Sequence, residues 1–456
     1  MQHDLLGNPV SDSSAATLAA LDDFVAGFLG YQERMLGVLR AAEADPGSCL
    51  ANAYAGWIWM FLESPEAPAR AAGFLARARA AAPAASERER LAAEILGAWS
   101  ADEVGRARAL ADRVLEIAPR DLAVLKLHQY LNFNRGRCTE MLRVALAALP
   151  GAGDVAELHG MVAFAYEQCH LLDEAEAAAR AALRLKLNEP WAQHAIAHVM
   201  LGRGRIREGL EFMQQASAGW TGLTSFMYTH NWWHVALFLI SEGRFEEALE
   251  IHDRHCWARD RDYSQDQVGA VSLLARLELA GADVGARWQA LAPYLARRRA
   301  DTVEPFLTLQ YLYGLARAGR REAGELLAAV RARAECAPAE RRATWAGVAL
   351  PACEALLAYR QGEYGRAREL LGAPLARMAE VGGSHAQRDL FEQIYLDCLL
   401  KDGAAAAAQQ RLEERRRLEP DGVPLNRALA RVYAELGLPG EAAKALARTR
   451  RPPAAS

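Results

Sequence analysis

The stretch NRGRCTEML, residues 134 to 142, decides how this chain folds. Gly136 separates an apolar segment ending at Phe133 from a second segment that resumes at Cys138, so it reads as the turn of a helix pair. The same shape recurs upstream in SADEVGRARAL around Asp102, and downstream in QCHLLDEAEA around His170 and GRGRIREGL around Gly204. The intervals from 102 to 136, 136 to 170 and 170 to 204 are each 34 residues, the period of a two-helix repeat. Later turns at Gly243, Gly281, Gly319, Gly362 and Gly437, with one more near Gly403, keep the unit, and as far as Gly403 they loosen to spacings of 38 to 43. A single hairpin has too little apolar surface to fold alone and must stack on its neighbours.

Residue usage agrees. Alanine, leucine, arginine and glutamate dominate, and no stretch alternates apolar with polar over strand length. The expected fold is all-α: one tetratricopeptide-like solenoid of about a dozen helical hairpins over residues 14 to 446, superhelical, with a concave groove. Residues 1 to 13 are expected to be an irregular N-terminal arm, and 447 to 456 a disordered tail. Small residues after the turns (Ala109, Ala175, Ala248, Ala323, Ala367, Ala442) fit where two helices approach closely, and Pro119, Pro150 and Pro190 are placed to stop second helices.

Composition excludes several classes. The formal charge is -4 with a pI near 6.3, and charges of both signs are interspersed, which argues against nucleic acid or an anionic membrane as partner. The opening MQHDLLGNPVSDSS has no cationic stretch leading into an apolar one, so no secretory signal is expected. Apolar runs such as VALFLI fall far short of the roughly 18 residues a membrane span needs. The seven cysteines stand singly with no CxxC pair, which points to thiols in a reducing cytoplasm. No P-loop, dinucleotide fingerprint, GxSxG elbow or HExxH is present.

Candidate chemistry lies in two blocks. WAQHAIAHVM carries His194 and His198, and HNWWHVALF carries His230 and His234 around Asn231, Trp232 and Trp233. Histidines at i and i+4 share one helix face and reach a single metal ion. His198 lies six residues before Gly204 and His234 nine before Gly243, and the partners keep the same offset of three. Both pairs should therefore face one groove, slipped by about one helical turn. His128 joins that stripe, with Gln310 and His159 nearby. Three readings compete: imidazoles satisfying one another across neighbouring helices, a pocket for a small polar ligand or peptide walled by one tryptophan such as Trp233, and a zinc or iron site completed by Glu167 or Asp266. The second block, VGGSHAQRDLFEQ, starts a helix with Ser384 and Gln387 as a capping box. Beside that positive end, His385 and Arg388 could grip an anion, with Asp389 orienting the arginine.

Taken together, ELHGMVAFAYEQ, EPWAQHAIAHVMLGRGRIREGLEFM, THNWWHVALFLISEGRFEEALEIHD, DVGARW and GGSHAQRD resemble the tetratricopeptide repeat protein 38 family over roughly residues 80 to 400. The resemblance implies an all-α repeat fold and no established reaction. By motif it carries over His194, His198, His230, Asn231, His234, His385, Gln387, Arg388 and Asp389. Two departures stand out: Gln310 where relatives carry a histidine, and HVMLGRGR where they read HVLEMQGR, which removes an acidic residue after His198. The expected function is binding of a small polar or anionic ligand, or a peptide, in a His/Trp-lined groove. A metal-dependent enzyme and a plain interaction scaffold are the alternatives.

Overall fold

The computed structural model describes residues 2 to 11 and 13 to 449. The fold is all-α, a run of tetratricopeptide-like helical hairpins, and the strands among the described residues are the two-residue pair Gln2–His3 and Pro9–Val10. That antiparallel ribbon replaces the irregular arm expected there. At the other end the helix Pro439–Arg448 runs into the segment expected to be a tail, whose residues 450 to 456 lie outside the described ones.

Every turn residue named from the sequence has a left-handed backbone: Asp102, Gly136, His170, Gly204, Gly243, Gly281, Gly319, Gly362, Gly403 and Gly437. The reason is the helix end. At Gly136 the amide donates to Phe133 O at 3.1 Å and the next amide, of Arg137, to Asn132 O at 3.0 Å. This pair of bonds satisfies carbonyls the helix leaves open and needs φ > 0 at the intervening residue. Asp102 and His170 adopt φ of 58° and 61° without being glycine. Asp102 is compensated, since its carboxylate meets the buried guanidinium of Arg341 at 2.8 Å. His170 is exposed, and His170→Gly is expected to stabilise the protein by about 1 kcal/mol, as a left-handed L-residue costs about that much. Thermal and urea unfolding of the variant check this. No gain, or a loss, refutes it.

The two helices of a hairpin are built differently. First helices are enclosed: in Pro305–Arg317 the residues from Pro305 through Ala316 are all buried. Second helices bury one stripe, as Leu172–Leu185 does with Ala175, Ala179 and Ala182. Five residues past six of the ten turns comes a small buried residue: Ala107, Ala175, Gly209, Ala248, Ala367 and Ala408. Ala323, four past Gly319, is buried as well. Ala109 is exposed because Ala107, five past the turn, takes the contact position in that hairpin, and Ala442, five past Gly437, is half-buried. Pro119 does follow the end of a helix, Val104–Ile117. Pro150, however, sits inside Cys138–Ala152, and Pro190 begins a helix, as first-turn prolines can.

Contacts divide the chain into two units. One runs to Ala195 and includes Gly219–Met227 and Pro338–Arg341. The other holds Ile196–Ala218, Tyr228–Ala337 and the chain from Arg342. The division falls within a single continuous helix, Pro190–Gly202. In the first unit, Arg88 is clamped between Asp4 of the N-terminal ribbon and Asp121 at the start of Leu122–Phe133. All seven cysteines are free thiols. No helix among the described residues is long and apolar enough to cross a membrane.

A buried histidine cluster as candidate site

Two helices supply the imidazoles, Pro190–Gly202 and Ser225–Ser241. On the second, His230 and His234 lie one turn apart and both are buried, His234 completely. His198 from the first helix brings its ring to 4.6 Å from that of His234, and His230 sits edge-on to His234 at 5.0 Å. His194, one turn before His198 on the same helix, stacks on Trp191 at 4.4 Å. Within the second unit, His198, His230 and His234 each offer a ring nitrogen within 4.8 Å of the others, and His194 belongs to the first unit. The structure thus brings His198 together with His230 and His234.

The cluster is not an open groove surface. All four rings are at most 7% exposed. Burial pushes His230 down to about 3, and the neighbouring His198 adds to this. His234 is driven well below its ordinary range by burial first, then by His198, His230 and Arg276. Neutral imidazole is the form in which a ring nitrogen accepts a hydrogen bond or binds a metal. Trp233 walls the cluster, stacked on His230 at 5.3 Å and edge-on to His234 at 4.9 Å.

Behind Trp233 stands Arg276 of the helix Ser264–Leu279, its guanidinium carbon 5.3 Å from the indole centroid. Arg276 is buried and donates to Ser272 Oγ at 2.9 Å, to Gln387 O at 3.3 Å and to Ala386 O. Burial lowers it to about 10. The helix His385–Lys401 that begins with the second motif is therefore fastened to the wall of the histidine cluster through one arginine. Its start is the expected capping box: Gln387 N donates to Ser384 Oγ at 3.3 Å, and Ser384 N to Gln387 Oε1 at 2.9 Å.

The roles expected of the neighbouring residues differ. Arg388 turns back onto Gly383 O and onto His385 Nδ1 at 3.2 Å, where the backbone of its own loop takes its donors. Asp389 does not orient Arg388. It pairs with Arg415 and accepts from Gln393 at 2.6 Å, because a guanidinium from a later helix reaches it first. Asp266 accepts from Thr229 Oγ1 and Asp260 N, both at 3.1 Å, and Glu167 from Gln168. Neither carboxylate belongs to the histidine group. His128 lies in the first unit with Asn132 and Asp112, and His159 bonds Gly153 O at 2.9 Å.

Two amides are conspicuous. Asn231 and Gln310 are both fully buried, yet among the described residues neither side-chain oxygen nor nitrogen of either finds a hydrogen-bond partner. A buried amide without partners costs of the order of 1–3 kcal/mol, so such a group calls for an explanation. Spacing alone could have found Ser272. His234, Ser272 and Gln310 each stand nine residues before a turn glycine, at Gly243, Gly281 and Gly319. Arg276 follows Ser272 by one turn.

No family model matches the chain. Similar solved structures include the human IFIT1 dimer with PPP-AAAA, 12% identical, covering 88% of this chain and 90% of that one with a TM-score of 0.41. The TPR domain of P58(IPK) is 13% identical, covers 80% and 93%, and has a TM-score of 0.23. A chain of the Naa15/Naa10 complex bound to HypK-THB is 15% identical at a TM-score of 0.25, the match spanning 80% of this chain and 63% of that one.

Proposed function

We propose that this chain is a helical-repeat protein that binds a small polar ligand among the buried imidazoles, with Asn231 as its hydrogen-bonding anchor. The unpartnered Asn231 amide is the observation that carries this reading. Asn231 precedes His234 by three residues on the same helix, so the two side chains neighbour each other on one face. An amide offering a donor and an acceptor beside neutral imidazoles and an indole wall suits a polar or anionic molecule of a few heavy atoms. Burial favours this over a scaffold that takes up extended peptides, because a peptide needs an open surface along several hairpins.

Native mass spectrometry of the protein as purified tests the reading. A small-molecule adduct is expected on the wild type and absent from Asn231→Leu, which keeps the shape and removes both polar groups. If the wild type carries no adduct and the variant simply melts higher, the amide is a tolerated orphan and the reading fails.

A further inference from the structure

The geometry points to a transition-metal site of the zinc class formed by His198, His230 and His234 of the second unit, with at least one position left for an anionic ligand. It goes beyond the proposed ligand site in the same pocket, and its test reads metal alone.

Three observations converge. The first is distance. Nitrogens bound to one tetrahedral ion at 2.0–2.1 Å stand about 3.4 Å apart. A group whose nitrogens already lie within 4.8 Å closes to that spacing by small ring rotations. The second is ligand type. Three imidazoles without thiolate or carboxylate match borderline divalent ions (zinc, ferrous iron, nickel, copper) rather than calcium or magnesium, which need oxygen. The third is enclosure. Trp233, stacked on His230 and edge-on to His234, fixes ring planes and keeps bulk water away, as the shell of a metal site does.

Charge then specifies the remaining ligand. Imidazole ligands carry no charge of their own and leave the ion its full positive charge, and the side chain over the Trp233 ring is itself cationic, Arg276. A divalent ion in such surroundings needs a negative partner in its own coordination sphere, either a hydroxide or the carboxylate or phosphate of a bound molecule.

The test is cobalt titration of the full-length protein, purified without a histidine tag and stripped of metal, with cobalt reporting ligand number through its visible absorption. Stoichiometric binding is expected, with bands of four- or five-coordinate cobalt that zinc displaces. His230→Ala/His234→Ala should weaken binding by more than about 100-fold, a loss at least as large as that for second-sphere residues. Should that double variant melt, His198→Gln, which keeps a polar side chain of similar volume but puts an amide in place of the imidazole, must show the weakened binding in a folded protein. Asn231→Leu should bind cobalt normally, which separates failure of the metal site from failure of the ligand reading. Folded wild type that binds neither cobalt nor zinc overturns the inference, as does undiminished binding in the histidine variants.

Discussion

Replacing Arg88 with alanine is expected to lower stability by about 3–5 kcal/mol, the usual result of removing one partner from a buried ion pair. Its Nη2 lies 2.7 Å from Asp4 and its Nε 2.6 Å from Asp121, with all three side chains at most 3% exposed. Nη1 also donates to Pro9 O at 3.1 Å. Alanine would leave two carboxylates buried without their counter-ion and a cavity where the guanidinium was. Asp121 additionally caps the helix Leu122–Phe133 through Val124 N, so the damage reaches that helix end. Urea unfolding measures the effect. Arg88→Lys, which retains charge but not the fork, should fall between wild type and alanine. A loss below about 1 kcal/mol in Arg88→Ala would show that Asp4 and Asp121 are solvated in the folded state.

Gly209→Ala is the second large effect, and its sign is opposite to the usual one. Alanine in place of a helical glycine normally gains about 0.5–1 kcal/mol. At Gly209, however, a Cβ would lie 2.3 Å from two carbons of the Phe238 ring, which is fully buried and has nowhere to go. Overpacking of this kind costs about 1–3 kcal/mol. Phe238 follows His234 by one turn on the same helix, so the displacement should also disturb the histidines and weaken cobalt binding. Gly73→Ala is the control: it sits mid-helix with nothing nearer to its Cβ than the tip of Arg77 at 4.0 Å, and should gain stability. Equal melting shifts for the two variants would contradict the packing argument.

The hairpin register could be read in advance because it rests on local chemistry. A helix end that closes with a left-handed residue leaves a glycine at a fixed phase, and Gly136 and Gly204 mark it without reference to the rest of the chain. The meeting of His198 with His230 and His234 is consistent with the same phase, since positions about one helical turn apart lie on one face of their helices. What escaped was set by distant partners. Asp389 beside Arg388 looks like an orienting pair, but Arg415, far along the chain, holds that carboxylate. Arg276 in ARLEL carries no local mark, since nothing near it in sequence announces that the carbonyls of Ala386 and Gln387 accept from it. Asn231 was read as one polar residue among several, and only burial shows that its amide lacks partners.

Arrays of stacked hairpins usually tolerate trimming, since each module leans only on its immediate neighbours. Arg276 removes that freedom here. Its grip on the opening carbonyls of His385–Lys401 makes a late module a structural prop for the wall around His230. Shortening the chain before that module would leave the arginine's charge stranded and loosen the indole it supports, so the length of the array up to there matters to the histidine cluster as well as to the stacking.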